Sequence, residues 1–331
     1  MYLLKRLKMS VIAILAVAMV AATAGAASAD QPNEDKSFTL QRVPGSPGGW
    51  TSRDVPGSAV STAGTNLRFW LSDDNTGRLW LSFNGGNPYQ IDGNSFAAPV
   101  VVPWGAGGFA IFHTGIDNRI YYRTSNTGQQ GSWGPGWIPV TDTNGVQQTT
   151  PFTVSAASLG SNHAGQMYLV FRSNDQRRSI LGMFFDGRNW HPSVDLGGVT
   201  DFAPAVAYNP VSDRVFVVHT GTTRQVYYSS TSFRPSPPGP WFSLGGRLDG
   251  RPSIASMANG NMQVGGIASG APWYMELNSG GGQIIPNWVR DASNTASLTL
   301  AAITLMAVGN TIYVYIRNPG DFVFLKTAWR L

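Results

Sequence analysis

Cysteine is absent from the 331-residue sequence, and charged residues make up only 12% of it. Without cysteine, the chain cannot form disulfide bonds, thiolate metal sites or a cysteine nucleophile. The chain also has little excess positive charge. Its formal net charge is +5, and it falls to +2 without Lys5, Arg6 and Lys8, which lie in an N-terminal segment predicted below to be removed. A charge this small excludes the basic footprint that is typical of nucleic-acid-binding proteins.

Glycine, proline and aromatic residues are abundant instead. The chain contains 39 glycines, 21 prolines, 11 tryptophans and 11 tyrosines. Glycine and proline favour turns, and aromatic residues favour strands, so this mixture predicts many short strands rather than long helices. The aromatic content also excludes an intrinsically disordered chain, because it provides ample apolar surface to bury.

The first 29 residues have the pattern of a secretory signal. A short basic start precedes an apolar run over residues 9–20, and small residues then lead to Ala27-Ser28-Ala29. This order is typical of a signal peptide cleaved near Ala29, with a single membrane anchor as the alternative. We therefore expect a secreted protein in which residues 30–36 are a polar, disordered lead-in and residues 37–331 form one domain. The lack of cysteine favours a bacterial origin, since secreted eukaryotic domains commonly use disulfides.

A repeated unit organises the rest of the chain. The segments that begin at Phe112 (FHTGIDNRIYY) and Val218 (VHTGTTRQVYY) share the letters HTG and a closing apolar-Tyr-Tyr at the same offsets. Looser copies predict that the second strand of each unit begins near Leu67, Phe109, Met167, Val215, Met262 and Ile312. The mean spacing is about 49 residues, and four short strands in a unit of that length are typical of one β-propeller blade.

The two ends of the chain indicate how the units close into a ring. The last unit ends straight after its third strand, whereas residues 50–55 (WTSRDV) form an outer strand with no unit of their own. We therefore predict an all-β, six-bladed β-propeller with four-stranded blades, closed by the N-terminal strand Trp50–Val55. Closure removes the exposed edges that an open array of sheets would leave. Seven blades, with a partial blade starting at residues 38–43, are the alternative.

Several motifs then point to a family. Asp186-Gly-Arg-Asn-Trp190, Asp195-Leu-Gly-Gly198 and the segment PWFSLGG over residues 240–246 lie at equivalent places in the repeat. With the strand openings Ala-Pro-Val and Ala-Pro-Ala, these motifs resemble the repeat of the Photorhabdus-type bacterial propeller lectins and, more distantly, of the fungal fucose-binding propeller lectins. The resemblance implies a non-catalytic protein that binds glycans or glycoconjugates in clefts between blades and gains strength through multivalency.

Sugar recognition combines aromatic faces with forked polar groups, which directs attention to particular side chains on the second and third strands. The resulting candidate ligand contacts are Trp80, His113, Arg119, Tyr122, Arg172, His219, Arg224, Tyr228 and Trp273. Packing within the sheets is the alternative role for each aromatic residue, and an inherited strand position is the alternative for each histidine. The Arg-Glu-Trp triad that the fucose-binding relatives imply cannot repeat here, because only Glu34 and Glu276 occur.

Other functions find less support in the sequence. A sialidase-like hydrolase would need a tyrosine activated by a carboxylate, but Tyr274 and Glu276 lie two residues apart on one strand. No Gly-x-Ser-x-Gly elbow, calcium loop or His-Glu-x-x-His motif occurs. We therefore expect no catalysis, no metal, no cofactor, no nucleic-acid partner and no membrane insertion once the signal is removed. A protein-interaction or cell-envelope platform without sugar binding is the main alternative.

Overall fold

The computed structural model describes residues 41–42, 55–72, 76–233, 239–285, 287–290, 302–317 and 324–330. These residues form short strands and a single turn of 3-10 helix, Ser161–His163. The strands are β1 (Gln41–Arg42), β2 (Gly57–Val60), β3 (Asn66–Leu71), β4 (Arg78–Phe83), β5 (Tyr89–Asn94), β6 (Val100–Trp104), β7 (Gly108–Thr114), β8 (Ile120–Ser125), β9 (Ile138–Pro139), β10 (Ser155–Ser158), β11 (Met167–Arg172), β12 (Ser179–Phe185), β13 (Val194–Val199), β14 (Ala205–Asn209), β15 (Arg214–Thr220), β16 (Gln225–Thr231), β17 (Phe242–Arg247), β18 (Ser253–Ser256), β19 (Met262–Ala268), β20 (Ala271–Leu277), β21 (Val289–Arg290), β22 (Thr304–Val308), β23 (Thr311–Arg317) and β24 (Phe324–Arg330).

The strands assemble into four-stranded antiparallel sheets, which confirms the all-β propeller class. Five sheets each use four consecutive strands: β2–β5, β6–β9, β10–β13, β14–β17 and β18–β21, called here the first to the fifth sheet. A further sheet, in the order β22-β23-β24-β1, joins the two ends of the chain and is called the terminal sheet. None of the described residues belongs to a helix long and apolar enough to cross a bilayer.

The second strands lie where the repeat predicts them. Each of β3, β7, β11, β15, β19 and β23 contains, in turn, one of the six residues named from the sequence spacing. The predicted signal peptide and lead-in, residues 1–36, fall outside the described part of the chain.

The closing strand differs from the prediction. The strand that pairs with β24 is Gln41–Arg42, with Gln41 opposite Lys326 and Arg42 opposite Leu325. Residues 50–54 of the predicted strand Trp50–Val55 lie outside the described residues, and Val55 precedes β2 without belonging to a strand. A pairing of two residues is too short to show an alternating pattern, so the sequence favoured the longer segment.

Alternation along the strands lets each sheet pack on both neighbours. In the second sheet, Phe109 and Ile111 pack towards the first sheet, whereas Ala110 and Phe112 pack towards the third. The innermost strands β2, β6, β10, β14, β18 and β22 lie side by side, and β22 also contacts β2. Together they surround a central channel whose wider end encloses about 720 Å³.

Tryptophans near the fourth strands of the second, fourth and fifth sheets each bind the sheet that precedes their own. In three places the indole N–H donates a hydrogen bond to a backbone oxygen in the outer strand of the preceding sheet. The pairs are Trp137 with Asp92 (2.7 Å), Trp241 with Leu196 (2.8 Å) and Trp288 with Leu244 (3.2 Å). A Cβ on Gly246, whose φ is +64°, would lie 2.6 Å from the Trp288 Nε1. The Leu-Gly-Gly motif therefore provides space for the next sheet's indole as well as a turn.

Candidate functional site

The repeated His-Thr-Gly segments build two equivalent aromatic clusters. In the second sheet His113 lies opposite Tyr121, and in the fourth sheet His219 lies opposite Tyr227. The rings of both pairs stack with centroids 5.4 Å apart and planes within 20° of parallel. Because alternate residues face one side, these two pairs both point towards the preceding sheet.

A tryptophan completes each cluster. The edge of Trp137 meets His113 with ring centroids 4.3 Å apart, and Trp241 meets His219 at 4.5 Å. We call the group His113, Tyr121 and Trp137 the first histidine cleft, between the first and second sheets. The group His219, Tyr227 and Trp241 is the second histidine cleft, between the third and fourth sheets.

The two histidines are buried walls of these clefts rather than exposed polar groups. Their exposed fractions are 4% for His113 and 3% for His219. Burial lowers the pKa of each from 6.5 to about 4, although Asp117 and Asp92 act in the opposite direction on His113. Both imidazoles are therefore neutral at pH 7, and the tyrosines and tryptophans, which are half-buried, are the ring surfaces that solvent reaches.

A charged pair borders the first histidine cleft. Arg123 of β8 donates from Nη1 to the carboxylate of Asp92 on β5 and from Nε to the Gly134 oxygen at 2.6 Å. The Arg123 side chain is only 12% exposed, whereas that of Asp92 is 65% exposed. The buried guanidinium thus fixes an accessible carboxylate at the rim of the cleft.

A second carboxylate, that of Asp117, lies in the turn between β7 and β8 and contacts Tyr121 of the cleft. The Tyr121 hydroxyl donates to Asp117 Oδ2 at 2.9 Å, and Arg119 Nε lies 3.7 Å from the same oxygen. Burial and this hydrogen bond raise the pKa of Tyr121. The first histidine cleft therefore combines aromatic faces with two oriented, solvent-accessible carboxylates, a set suited to ligands rich in hydroxyl groups.

The second histidine cleft has the same rings without the charges. Ser229 takes the place of Arg123 in the strand register, and Gly197 takes the place of Asp92 in the outer-strand motif. The Tyr227 hydroxyl donates to the Gln225 amide oxygen at 2.7 Å instead of to a carboxylate. Shape and stacking are therefore shared by the two clefts, while charge is not.

Tyr122, a predicted ligand contact, is buried in the core instead. Its ring packs on Phe112 and Trp190, with centroids 6.0 and 5.8 Å away, on the side of the third sheet. Strand alternation predicts that Tyr121 and Tyr122 face opposite sides of the sheet but does not say which side is open. The structure places the Tyr121 ring at the first histidine cleft and the Tyr122 ring in the core.

The remaining aromatic candidates lie apart from the two clefts. Tyr228 is half-buried and stacks between Phe216 and Phe242, on the side of the fifth sheet. Trp80 packs against the cluster that contains Trp70 and Tyr315. The third candidate, Trp273, donates its indole N–H to the Ala268 oxygen at 3.2 Å.

The three predicted arginines occupy unrelated positions. Arg119 and Arg224 lie in turns with exposed side chains, and Arg224 pairs with Asp249 at 3.1 Å. These two are not equivalent: Arg224 corresponds to Asn118, since both adopt a left-handed φ of +67° and +63°. Arg172 is half-buried, with its guanidinium 5.0 Å from the ring centre of Phe152.

Sequence reasoning missed the charged part of the first histidine cleft. The ligand contacts predicted from the sequence do not include Asp92, Arg123, Tyr121 or Trp137. The register of the β7–β8 hairpin could have placed Tyr121 opposite His113, because the turn motif fixes which residues pair.

The carboxylate of Glu276 is buried and accepts a hydrogen bond from Asn261 Nδ2 at 2.8 Å. Within the described ranges, no three His, Asp or Glu side chains converge as metal ligands.

No protein-family model and no curated protein sequence matches the chain. Several solved structures are similar to it. A mutant of the Aleuria aurantia lectin in complex with Fucα1-6GlcNAc has a TM-score of 0.64 at 15% identity, covering 85% of this chain and 92% of the lectin. The SapL1 lectin in complex with α-methyl fucoside has a TM-score of 0.60 at 14% identity, covering 86% and 96%.

An enzyme shares the likeness as well. A Penicillium chrysogenum α-L-arabinanase complexed with arabinobiose has a TM-score of 0.56 at 13% identity, covering 90% of this chain and 99% of the arabinanase. At these identities the likeness is one of fold alone. The chain is therefore similar in fold to β-propellers that include fucoside-binding lectins and an arabinanase.

Proposed function

We propose that this protein is a secreted, non-catalytic, carbohydrate-binding β-propeller whose principal site is the first histidine cleft. The observation that carries the proposal is the pairing of half-buried aromatic rings with a carboxylate held in place by a buried arginine. Asp92 accepts from Arg123 and remains 65% exposed, and its backbone oxygen accepts from the indole N–H of Trp137.

The chemistry of a pyranose fits this arrangement. The apolar face of a sugar ring stacks on an aromatic side chain, and its hydroxyl groups donate hydrogen bonds to carboxylates at the rim. Asp92 and Asp117 supply two exposed acceptors, and Arg119 adds a donor beside Asp117. The fold likeness to fucoside-binding lectins supports the same ligand class.

The proposal includes a propeller of six blades that binds glycan at two places. The terminal sheet has four strands, and its innermost strand β22 lies beside both β18 and β2, which supports counting it as the sixth blade. A solved Aleuria aurantia lectin is described as a six-bladed β-propeller. The two histidine clefts would give one charged site and one weaker, uncharged site, so multivalent binding would rest on these two.

Glycan-array binding of residues 30–331 tests the proposal. We expect binding to a related set of glycans that is abolished by free sugar, and at least a tenfold weaker affinity for Asp92→Asn, about 1.4 kcal/mol. The matched control is Asp195→Asn, an exposed aspartate of β13 whose loss leaves the first histidine cleft intact. Equal affinity of both variants and the wild type would contradict the assignment of the site.

The alternatives give different results in the same experiment. A protein-interaction platform would be silent on the array although folded, whereas a hydrolase would release product from a fluorogenic glycoside. Secretion is tested separately by N-terminal sequencing of protein recovered from the medium, where we expect a start near Asp30.

A further inference from the structure

The accessible charge of the first histidine cleft is mainly negative. Two carboxylates reach solvent there, with side chains that are 65% exposed for Asp92 and 42% exposed for Asp117. The side chain of Arg123 is only 12% exposed, so its positive charge is turned into the protein. We infer that this cleft selects sugars with a protonated amino group and disfavours sugars with a carboxylate, an inference that rests on the proposed function.

Asp92 keeps one carboxylate oxygen for a ligand. Arg123 Nη1 donates to Asp92 Oδ1, whereas Oδ2 accepts a hydrogen bond from none of the described residues. A protonated amine has three hydrogens to donate, and it adds charge attraction to each bond with a carboxylate. A sugar hydroxyl in the same place donates one hydrogen and carries no charge, so the amine should bind more tightly.

The two carboxylates also act on the wall of the cleft. Burial lowers the pKa of His113 to about 4, and the charges of Asp117 and Asp92 act in the opposite direction. Both carboxylates therefore lie close enough to this imidazole to influence it electrostatically. Burial lowers the pKa of His219 to about 4 as well, but Gly197 takes the place of Asp92 there. The negative potential thus distinguishes the first cleft from the second.

The aromatic rings of the cleft favour a cation too. Tyr121 and Trp137 are half-buried and pack beside His113. The face of an aromatic ring carries partial negative charge and attracts a cation placed over it, most strongly in the case of tryptophan. Stacking of a sugar on these rings and attraction of its ammonium group are therefore compatible.

Arg119 moderates the preference. Its side chain is 53% exposed, and its Nε lies 3.7 Å from Asp117 Oδ2. The positive charge of Arg119 offsets part of the charge of Asp117, although exposed pairs of this kind are weak and screened by salt. Because the cationic partner of Asp92 is buried, Asp92 is the main determinant of the preference.

Isothermal titration of residues 30–331 with methyl glycosides tests the inference. The probes are the methyl glycosides of glucose and galactose, of their 2-amino and 6-amino analogues with the amine protonated, and of the matching uronic acids. We expect at least one amino compound to bind about tenfold more tightly than its neutral parent, and the uronates to bind about tenfold more weakly. Added sodium chloride should reduce both differences, because salt screens exposed charges.

Three variants locate the preference. Asp92→Asn keeps an acceptor for Arg123 but removes the charge, so the amino and neutral glycosides should then bind within about threefold of each other. Asp195→Asn, which changes an exposed aspartate of β13, is the matched control and should keep the full preference. Arg119→Gln removes an exposed positive charge and should increase the preference about twofold, even if Asp92→Asn does not fold.

The possible outcomes separate this inference from the proposed function. Binding of a neutral glycoside with no preference for any amino compound, or with equal affinity for its uronate, would overturn the inference and leave the proposed function standing. Absence of binding by every glycoside would contradict both. Binding of a lysine-containing peptide in the absence of any glycoside binding would also contradict both and would favour a protein-interaction platform.

Discussion

The two histidine clefts have the same aromatic rings but different charged residues. The comparison distinguishes residues that pack the sheets together from residues that could contact a ligand. His113 and His219 are both buried between a tyrosine and a tryptophan, with nearly identical ring geometry. Only the first cleft has the Arg123–Asp92 pair and the Tyr121–Asp117 hydrogen bond. Repeated residues therefore stabilise the contact between sheets, and under the proposed function the specificity for a glycan would come from residues that the repeat does not keep.

The largest expected effect is the loss of stability when the tryptophan of either cleft is removed. Trp137→Ala and Trp241→Ala each remove an indole that packs on a histidine and bonds to the preceding sheet. We expect each to lower the free energy of unfolding by about 3 kcal/mol, measured by urea denaturation. The two losses should be similar; a loss confined to one cleft would show that the clefts are not structurally equivalent.

A smaller effect concerns pH. Because the folded pKa of both histidines is about 4 and the unfolded value is 6.5, the unfolded chain binds more protons below pH 6.5. Above that pH the two histidines do not reduce the free energy of unfolding, and below it this free energy decreases as the pH falls towards 4. Between pH 7 and pH 5 we expect a loss of about 2 kcal/mol per histidine.

Equilibrium unfolding of the wild type and of His113→Phe with His219→Phe measures this dependence. The double variant should lose most of the pH dependence over the same interval. An unchanged slope would mean that other groups carry it.

The next prediction concerns a variant in which the first histidine cleft loses the charged pair that distinguishes it from the second. Arg123→Ser combined with Asp92→Gly gives the first cleft the residues of the second, and it should weaken glycan binding at least tenfold, about 1.4 kcal/mol. Stability should fall by about 1–2 kcal/mol, because Asp92 is largely exposed whereas Arg123 is only 12% exposed and also donates to the Gly134 oxygen. Titration and denaturation of one sample give both values, and a loss of stability with unchanged glycan binding would instead assign the pair a structural role.

The smallest effect distinguishes neighbouring tyrosines. Tyr121→Phe removes the hydroxyl that orients Asp117 and should weaken glycan binding a few-fold. Tyr122→Phe acts on the far side of the sheet and should leave the affinity unchanged. Equal effects of both variants, measured by titration, would place the ligand elsewhere.

The sequence carries enough information for most of the fold. A period of about 49 residues and four strands per unit define the sheets, because each unit repeats the same alternation and the same turn chemistry. Residues 38–43 entered the prediction only as the possible start of a seventh blade. The pairing of Gln41–Arg42 with β24 could not be predicted, since two residues show no period and β24 lies at the opposite end of the chain.

The candidate site is predictable only in part. Hairpin register is local, so the contact of His113 with Tyr121 follows from the turn between them. The contact of Arg123 with Asp92 joins two different sheets, and its geometry depends on how those sheets pack. Arg123 orients the Asp92 carboxylate of the candidate site, yet the sequence around Arg123 does not distinguish this arginine from Arg119.

The tryptophan hydrogen bonds give the ring of sheets a direction. Each indole of Trp137, Trp241 and Trp288 binds the outer strand of the sheet that precedes it in sequence. Damage to one outer strand, by proteolysis for example, therefore removes a docking point of the following sheet and not of the preceding one. Local opening should spread towards higher residue numbers, so hydrogen exchange after a single nick would be asymmetric around the ring.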